Sequence, residues 1–586
     1  MTEPRGLRKA ENLALDAAVN ILGDAWDELR RSPFVQLQLG LTPARLPEVS
    51  LAEAQRRSKM GRAILDRLGS LDTSLLPHDL ALTMRLVRFH ADTWSREADW
   101  YWTICDPLGV GFFGTFLPTA YCGGSLLSVL HGLLSACTFS NAGDADRYLG
   151  LVSDYARLIH QFADRTIGQA ERGMRMPRVQ VRQARLLLAA QKVAAHQALG
   201  VVPERLTSAD SRDFRSELER RVGTQVEPAF DRVLEVLSED YFARAPESVG
   251  LGQYTGGPEI YAELVRLHTT LRLTPEQVHA RGLERIGEIE RSMLSIRDEL
   301  GSNGDSAAFG VRLRDDARWR ASTVEGVKSF FLRYMDRVAA AFTEHFAIAP
   351  KAPCDIAPLS AALEGSMTYG YYDPPRRDRA QGQYFFNARN LVKQPLHTLA
   401  ALTYHELMPG HHLHFATQHE NTALHPFRKH SFVTAFNEGW AEYAATLAGE
   451  IGLYEEPEER YGRLVMDAFL TCRLVVDTGM NALGWSLERA REYMREHSGM
   501  SEAEILTESV RYSADIPGQA LAYKLGDTHI LALRERVRRT LGSRFSLKDF
   551  HAQVLGAGAM PLEILDWHVE HEVKGLGLSS SPPDGR

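Results

Sequence analysis

Hydrophobic positions recur at helical spacing along most of the chain. The clearest helix start is TPEQ at residues 274–277, where a Thr N-cap precedes Pro at the first helical position and Gln at the third. The apolar positions that follow it are Val278, Leu283, Ile286, Ile289 and Leu294. Similar amphipathic runs lie near residues 12–31, 148–172, 213–238, 324–346 and 529–541. The pattern predicts a mainly α fold.

Strand-like sequence is sparse. The best candidates are residues 367–372 and 383–387, which are rich in Tyr, Phe and Thr and flank the polar turn DPPRRDRAQG. They predict a hairpin, or two strands of a small sheet. If residues 383–387 form an edge strand, an extended substrate can pair with it by β-augmentation.

The positions of these elements predict a boundary near residue 345. A helical N-terminal part (1–345) would precede a zincin-like catalytic part (346–577) that holds the small sheet and the motifs described below. A single intertwined domain is the alternative. The tail, residues 578–586, has nothing to bury and is predicted to be disordered.

Composition narrows the class of protein. Of the 586 residues, 44% are hydrophobic and 24% are charged, as in soluble globular proteins. The net charge of −8, without a basic stripe, argues against nucleic acid as a partner. The N-terminus has no apolar signal-peptide core, and the apolar stretch 107–138 is interrupted by several Gly residues and Pro118. We therefore expect a cytoplasmic protein without a membrane partner, and find no signal for an oligomeric state.

The cysteines also fit a cytoplasmic protein. The five cysteines are scattered and form no CxxC pair, which argues against structural disulfides and against a zinc site built from thiolates.

The candidate chemistry begins with YHELMPGHHLH, residues 404–414. Zincins usually present HExxH on one helix, but Pro409 occupies the fifth position here. On a straight helix, His412 returns to within about 20° of His405. A bulge at Pro409 and the glycine after it would bring His411 to the metal instead. Helix geometry alone therefore does not decide whether His411 or His412 is the second ligand.

The segment NEGWAEY, residues 437–443, supplies two carboxylates one helical turn apart. Glu438 is the predicted third ligand, because gluzincins take that ligand from a following helix. Glu442 is predicted to accept a hydrogen bond from a ligand imidazole and so to fix its tautomer. Glu406, directly after His405, is the predicted general base. These residue types at this spacing predict a metal site.

The chain resembles a known family. HELMPGHHLH resembles the HExxPGH signature of the bacterial domain-of-unknown-function 885 family, which is itself similar to gluzincin metallopeptidases. The likeness extends over nearly the whole chain, through GMRMPRVQV (173–181), GGPEIYAELVRLHTTLRLTPEQVHARGLERI (256–286), YYDPP…GQYFFNARN (371–390), NEGWAEYA (437–444), VVDTGMNALGWS (475–486) and RYSADIPGQALAYKLG (511–526).

The resemblance implies a mostly helical fold with a deep central cleft, one zinc ion per chain and peptidase-like hydrolysis. It also implies His411 rather than His412 as the second zinc ligand, because the position matching His412 is often Tyr in the family. Two residues depart from the family pattern: Asn481 stands where DTGIH has His, and His414 stands where PGHxxQ has Gln. Either departure would indicate a shifted substrate or a weakened enzyme.

Further residues are candidates for supporting roles. Tyr523 is predicted to donate a hydrogen bond to the oxyanion, with Tyr371 and Tyr372 as rivals, and Tyr372 is also a candidate substrate contact. Arg511 and Lys524 are predicted to anchor a substrate carboxylate. The alternatives are tyrosines that pack in the core and cations that lie on the surface.

Together these residues predict a zinc hydrolase that cleaves amide bonds of short peptides, since the implied cleft would exclude folded proteins. A biosynthetic metalloenzyme that acts on a small metabolite at the same site is the alternative, motivated by the two departures and the missing export signal. A metal-free binding or scaffold protein is a third hypothesis. Ligand sets of this kind also accept manganese, iron or cobalt.

Overall fold

Helices dominate the computed structural model of the chain, which describes residues 5–200, 212–302, 306–359, 364, 369–377, 379–392 and 394–578. The mainly α prediction is confirmed. Of the predicted tail, Leu578 ends a helix, and the remainder lies outside the described residues. The chain forms two compact units: unit 1 is Met1–Leu264 with Ser513–Pro517, and unit 2 is Val265–Tyr512 with Gly518–Arg586.

Unit 1 is built from helices. They are α1 (Arg5–Leu29), α2 (Pro33–Gln38), α3 (Leu51–Gly69), α4 (His78–Trp100), α5 (Ser125–Ser135), α6 (Ala142–Glu171), α7 (Arg178–Leu199), α8 (Arg212–Arg221), α9 (Glu227–Val236) and α10 (Glu239–Arg244), and α11 (Gly257–Thr269) contains the end of the unit. Helix α3 packs along α4, and α6 packs against α9. The apolar stretch 107–138 forms core, as predicted, and Leu126 and Leu130 of α5 are fully buried.

Unit 2 holds the remaining helices and the sheet. The helices are α12 (Pro275–Glu299), α13 (Ser306–Asp315), α14 (Val324–His345), α15 (Ala388–Leu391), α16 (Leu399–Glu406), α17 (His411–Glu420), α18 (Pro426–Lys429), α19 (Thr434–Glu450), α20 (Pro457–Asn481), α21 (Leu487–His497), α22 (Glu502–Val510), α23 (Leu521–Leu541), α24 (Leu547–Gly556) and α25 (Leu562–Leu578). The strands are β1 (Cys354–Pro358), β2 (Gly370–Asp373) and β3 (Gly382–Phe386). Within the described ranges, no helix combines the length and the apolar character of a membrane span.

Helix α12 begins as predicted, but it buries a different stripe. The side chain of Thr274 caps the backbone of Gln277, and Gln277 caps Thr274 in return. Its buried positions are Pro275, Val278, Gly282, Ile286, Ile289 and Met293, whereas Leu283 and Leu294 are exposed. At 100° per residue, Leu283 lies about 140° from Val278. Three of the five predicted positions, Val278, Ile286 and Ile289, are therefore on the buried face.

The sheet has the order β1-β3-β2, with β1 parallel and β2 antiparallel to β3. The predicted hairpin is confirmed for its described residues. The idea of residues 383–387 as an edge strand is wrong, because β3 is paired on both sides. Tyr384 and Phe386 of β3 are fully buried, and both rings pack on Phe331 of α14.

The units divide earlier than the boundary predicted near residue 345. Helix α12 packs along α20, and α14 packs on α16. Phe331 and Tyr334 of α14 belong to the same buried cluster as Tyr404 of α16. These long-range contacts place residues 275–345 in unit 2, although their sequence looks like that of the preceding helices.

Helices α19 and α23 cross at two glycines. A β-carbon on Gly526 would lie 2.2 Å from the carbonyl oxygen of Ala435 and 2.6 Å from the α-carbon of Gly439. Both neighbours are backbone atoms, which cannot rotate away. The crossing therefore requires glycine, and it sets the positions of Glu438 on α19 and Tyr523 on α23.

We predict that Gly526→Ala destabilises the protein by about 1–3 kcal/mol, because the added methyl group forces two backbones apart. Denaturant unfolding measures the change. Gly287→Ala is the control: it also lies inside a helix of unit 2, but its β-carbon would meet only the tip of Arg291 at 3.5 Å. That variant should be neutral or more stable by up to about 1 kcal/mol, and equal losses in both variants would contradict the crossing argument.

Candidate metal centre

A break between two helices brings the histidines of YHELMPGHHLH together. Helix α16 ends at Glu406 and α17 begins at His411. At the break, a β-carbon on Gly410 would lie 1.9 Å from the carbonyl oxygen of His405. Only glycine lets the backbone approach so closely. The chain thus returns to His405 two residues later than in HExxH, which places His411 beside it.

One donor atom each of His405, His411 and Glu438 lies within 4.8 Å of the other two. Oε2 of Glu438 is 3.6 Å from Nε2 of His405 and 3.3 Å from Nε2 of His411. The two imidazoles meet edge to face, with centroids 4.9 Å apart. The structure therefore brings together the three predicted ligands.

His412 faces another environment. Its Nε2 donates a hydrogen bond to the carbonyl of Ala352 at 3.0 Å, and its Nδ1 accepts one from the hydroxyl of Tyr372 at 2.8 Å. Burial lowers the pKa of His412 to about 4. With both ring nitrogens engaged, His412 supports the fold, and the geometry favours His411 in the choice that the residues left open.

The charges around His405 favour a cation. Although burial opposes it, the nearby carboxylates of Glu438, Glu442 and Glu406 raise the pKa of His405 to about 10. The two imidazoles lower the pKa of Glu438 against the effect of burial. Oε2 of Glu438 and Nδ1 of His411 are buried and have no hydrogen-bond partner of suitable geometry in the described chain. Two imidazoles and a carboxylate fit zinc with a coordination position left open.

Glu406 is a buried carboxyl group next to this cluster. Burial raises its pKa, the imidazoles of His405 and His411 lower it, and the charge of Glu438 raises it again, with a net upward shift. The group is 9% exposed. A carboxyl group whose pKa lies above the ordinary value is suited to exchange protons near neutral pH.

Tyr523 lies where the sequence predicts it, beside a ligand. Its ring stacks on His405 at 6.0 Å and 12°, and the guanidinium of Arg473 lies 4.6 Å from its ring centroid. Burial and the charge of Glu438 raise the pKa of the phenol, while Arg511 and Arg473 lower it. The half-buried phenol thus has two cations as well as the histidine among its neighbours.

Tyr372 and Tyr371, the other two candidates for the oxyanion donor, have different surroundings. The ring of Tyr372 stacks on His411 at 6.5 Å and 20°, but its hydroxyl is engaged by His412. The ring of Tyr371 stacks on Phe385 in the neighbouring strand at 5.2 Å. Tyr372 therefore lines the ligand cluster, whereas Tyr371 packs on the sheet.

Glu442 lies beside His405, the residue that it was predicted to support, at a distance longer than a hydrogen bond. Its Oε2 is 3.6 Å from Nδ1 of His405, and its Oε1 accepts a hydrogen bond from Arg463 at 2.7 Å. Burial raises the pKa of Glu442, but the positive charges of Arg463 and Lys524, with His405, bring it down to about 2. The carboxylate is thus held ionised behind the ligand imidazole.

Lys524 does not fit the predicted role of a substrate anchor. Its Nζ lies 2.7 Å from Asp467, 2.7 Å from Asp527 and 3.4 Å from Glu442, and its side chain is 3% exposed. Three buried carboxylates already hold the ammonium. Sequence analysis missed this cluster, although Arg463 and Asp467 on α20 and Lys524 and Asp527 on α23 stand at helical i+4 and i+3 spacing.

Arg511 is buried rather than on the surface. It donates to Oε1 of Gln519 at 2.8 Å and lies 3.5 Å from Glu508. Sequence analysis also missed Arg473, which lies 3.2 Å from Glu508 and donates to the hydroxyl of Tyr512 at 2.7 Å. The anchor role of Arg511 stays a prediction.

The two departures from the family pattern lie in structural hydrogen bonds. Asn481 is fully buried and donates to the carbonyls of Asp477 and Tyr512, each at 2.9 Å. His414 is also fully buried, and its Nε2 donates to Gln418 at 3.0 Å. Both side chains therefore serve packing within unit 2.

Fold and site together define a mainly helical protein whose second unit groups two histidines and a glutamate suited to a metal ion. The chain belongs to the family described as "Bacterial protein of unknown function (DUF885)", which matches residues 33–569.

Two solved structures are similar in fold. A putative lipoprotein from Colwellia psychrerythraea is 24% identical, with a TM-score of 0.84, and the match covers 96% of this chain and 99% of that chain. A putative lipoprotein of unknown function from Shewanella oneidensis is 16% identical, with a TM-score of 0.68 and the same coverage. No curated protein matches the chain.

We predict that Lys524→Met destabilises the protein by about 3–5 kcal/mol, because it removes a buried cation that three carboxylates share, and Arg463 and Arg285 then compensate only Glu442 and Asp467. Denaturant unfolding measures the loss. The double variant Lys524→Met/Asp527→Leu should recover part of it, since one of the stranded charges is removed as well. Unchanged stability in Lys524→Met would restore the idea of a substrate anchor.

Proposed function

We propose that the protein is a zinc-dependent, gluzincin-like hydrolase that cleaves amide bonds of short peptides. The observation that carries the proposal is the convergence of His405, His411 and Glu438, with Glu406 next in sequence to the first ligand. Neutral nitrogen and anionic oxygen donors in this number are those of a catalytic rather than a structural zinc site.

Zinc in such a set supplies Lewis acidity and activates water for attack. The residues of the chain then divide the remaining work. Glu406 accepts the proton of the attacking water and returns it to the leaving amine, which its raised pKa favours. Glu442 keeps the proton of His405 on Nδ1, so that Nε2 faces Glu438 and the metal position.

Tyr523 is the proposed oxyanion donor. Its ring is stacked on His405, which places this phenol next to one of the proposed ligands. Arg473 and Arg511 oppose the rise in its pKa and so make the phenol a better donor. Tyr372, stacked on His411, is the proposed substrate contact on the other ligand.

The metabolite alternative loses its main support. Asn481 and His414 motivated it, and both side chains are engaged in hydrogen bonds that hold unit 2 together. A library of short peptides and small amides separates the two hypotheses, since a metabolite enzyme would leave all peptides intact.

The same proposal includes one zinc ion per chain and a deep cleft. Its partner is a short peptide or a small amide, without nucleic acid or membrane, and its location is cytoplasmic. Because the two structural neighbours are described as lipoproteins, fractionation of the native cells is the test of location.

We predict that the purified protein binds about one zinc ion per chain and that His411→Ala loses most of it. His412→Ala is the matched control, because His412 is the adjacent buried histidine and its nitrogens are engaged by Tyr372 and Ala352. Elemental analysis of protein purified without chelator measures both. A metal-free wild type would refute the metal site, and loss only in His412→Ala would assign the ligand to that residue.

We predict that Glu406→Gln lowers hydrolysis by about 10²–10⁴-fold, because it keeps the shape of the side chain but removes the base. Metal content and stability should stay near those of the wild type, since Glu406 is not one of the three residues grouped around the candidate metal position and forms no ion pair with any described residue. Turnover of a peptide substrate, with elemental analysis on the same preparation, provides the measurement. Wild-type turnover in this variant would exclude Glu406 as the base.

A further inference from the structure

Two of the five cysteines meet in unit 1. Cys105 lies in the loop after α4, and Gly114 pairs with it through two backbone hydrogen bonds of 2.8 and 2.9 Å. The sulfur of Cys122 lies against Gly114 from another side, since a β-carbon there would be 2.1 Å from it. The sulfur of Cys105 is 3.6 Å from the carbonyl oxygen of the same glycine. The sulfur atoms of Cys105 and Cys122 therefore both lie next to Gly114, which has no side chain.

The two thiols have different surroundings. Cys105 is partly exposed and lines a pocket together with Tyr101, Glu97 and Arg165. Cys122 is fully buried, and its sulfur faces the carbonyl of Asp515 at 3.9 Å. A reagent that enters the pocket would meet Cys105 first.

Arg165 adds a positive charge next to Cys105. It is 2% exposed, lies 5.0 Å from the centroid of Tyr101, and has no ion-pair partner within the described ranges. A hydrogen bond from Cys122, opposed by burial and aided by Arg165, lowers the pKa of Cys105. The same contact and burial raise the pKa of Cys122. In an asymmetric pair of this kind, one thiol is suited to attack a disulfide, and the other is suited to resolve the mixed disulfide that results.

We propose that Cys105 and Cys122 form a redox-active dithiol that reacts with low-molecular-weight disulfides, with Cys105 as the attacking thiol and Cys122 as the resolving thiol. This site is separate from the metal chemistry proposed for unit 2. All five cysteines are free in the structure, and the proposed disulfide is a reversible product rather than the structural disulfide that the sequence argues against.

The proposed reaction balances in two exchange steps. The Cys105 thiolate attacks one sulfur of the disulfide RSSR, which forms a mixed disulfide on Cys105 and releases RS⁻. Cys122 then attacks the sulfur of Cys105, and its proton leaves with the second RS⁻ as RSH. Two protein thiols are oxidised to one disulfide, and one RSSR is reduced to two thiols.

The remaining cysteines provide internal controls. Cys137, in the same unit, donates its thiol to the carbonyl of Leu133 at 3.4 Å. Cys354 and Cys472 lie in unit 2. Trypsin leaves Cys105, Cys122 and Cys137 on one peptide, since no Lys or Arg lies between Arg96 and Arg147, whereas cleavage after Tyr121 separates the first from the other two.

The test treats the reduced full-length protein with oxidised glutathione under denaturant-free conditions. We expect loss of two of the five thiols, a fall of about 2 Da in the tryptic peptide 97–147, and, after digestion at aromatic residues, a linkage of the Cys105 peptide to the peptide that holds Cys122 and Cys137. Cys137→Ser should show the same linkage, which assigns it to Cys122. In Cys122→Ser, one glutathionyl group should stay on Cys105, and in Cys105→Ser none should be found on Cys122.

Other outcomes overturn the proposal. These are retention of all five thiols, a linkage that involves Cys137, or no adduct on Cys105 in Cys122→Ser while the protein is folded by circular dichroism. If Cys122→Ser does not fold, Cys122→Ala replaces it, because alanine fits the space beside Gly114. An adduct on Cys122 in Cys105→Ser would reverse the two roles and also contradict the proposal as stated.

Discussion

The carboxylate of Glu442 joins the candidate metal centre to a buried cluster of charges. One of its oxygens faces Nδ1 of His405, and the other accepts a hydrogen bond from Arg463. Lys524 links the same carboxylate to Asp467 and Asp527. Charges this deeply buried are tolerated only when each one is paired. The pairing fixes α19, α20 and α23 to one another, and these helices carry or support most of the site.

Close backbone contacts set the same geometry at a finer scale. Gly410 lies against the carbonyl of His405, and Gly526 lies against Gly439. In both places the missing side chain lets two main chains approach to a distance that alanine would forbid. The first contact brings His405 and His411, the candidate metal ligands of the seven-residue motif, next to each other, and the second places Tyr523 beside them. The ion cluster and these contacts are therefore two parts of one constraint on the helix positions.

Local signals in the sequence were enough to predict part of this arrangement. The capping box at Thr274 and the hairpin are encoded by neighbours in the chain, so pattern and spacing reveal them. Spacing also indicated His405 and Glu438 as candidate ligands, whereas the choice of His411 over His412 depended on the family resemblance. Lys524 was misassigned because its partners lie 57 and 82 positions away on other helices, as in its contact with Glu442. Arg473 was missed for the same reason. The unit boundary likewise depends on the packing of α12 on α20, which no local pattern records.

Three glutamates surround the centre, and their environments assign them different roles. Two imidazoles hold Glu438 ionised, and the cations Arg463 and Lys524 do the same for Glu442, so that the pKa of each carboxyl lies below its ordinary value. Glu406 shares its imidazole neighbours with Glu438 but forms no ion pair with them, and burial raises its pKa. Groups whose surroundings drive their pKa values apart divide into fixed charges and proton carriers. Glu438 and Glu442 are thus held as anions, whereas the surroundings of Glu406 favour its protonated form more than water does, which suits the proton-carrying role proposed for it.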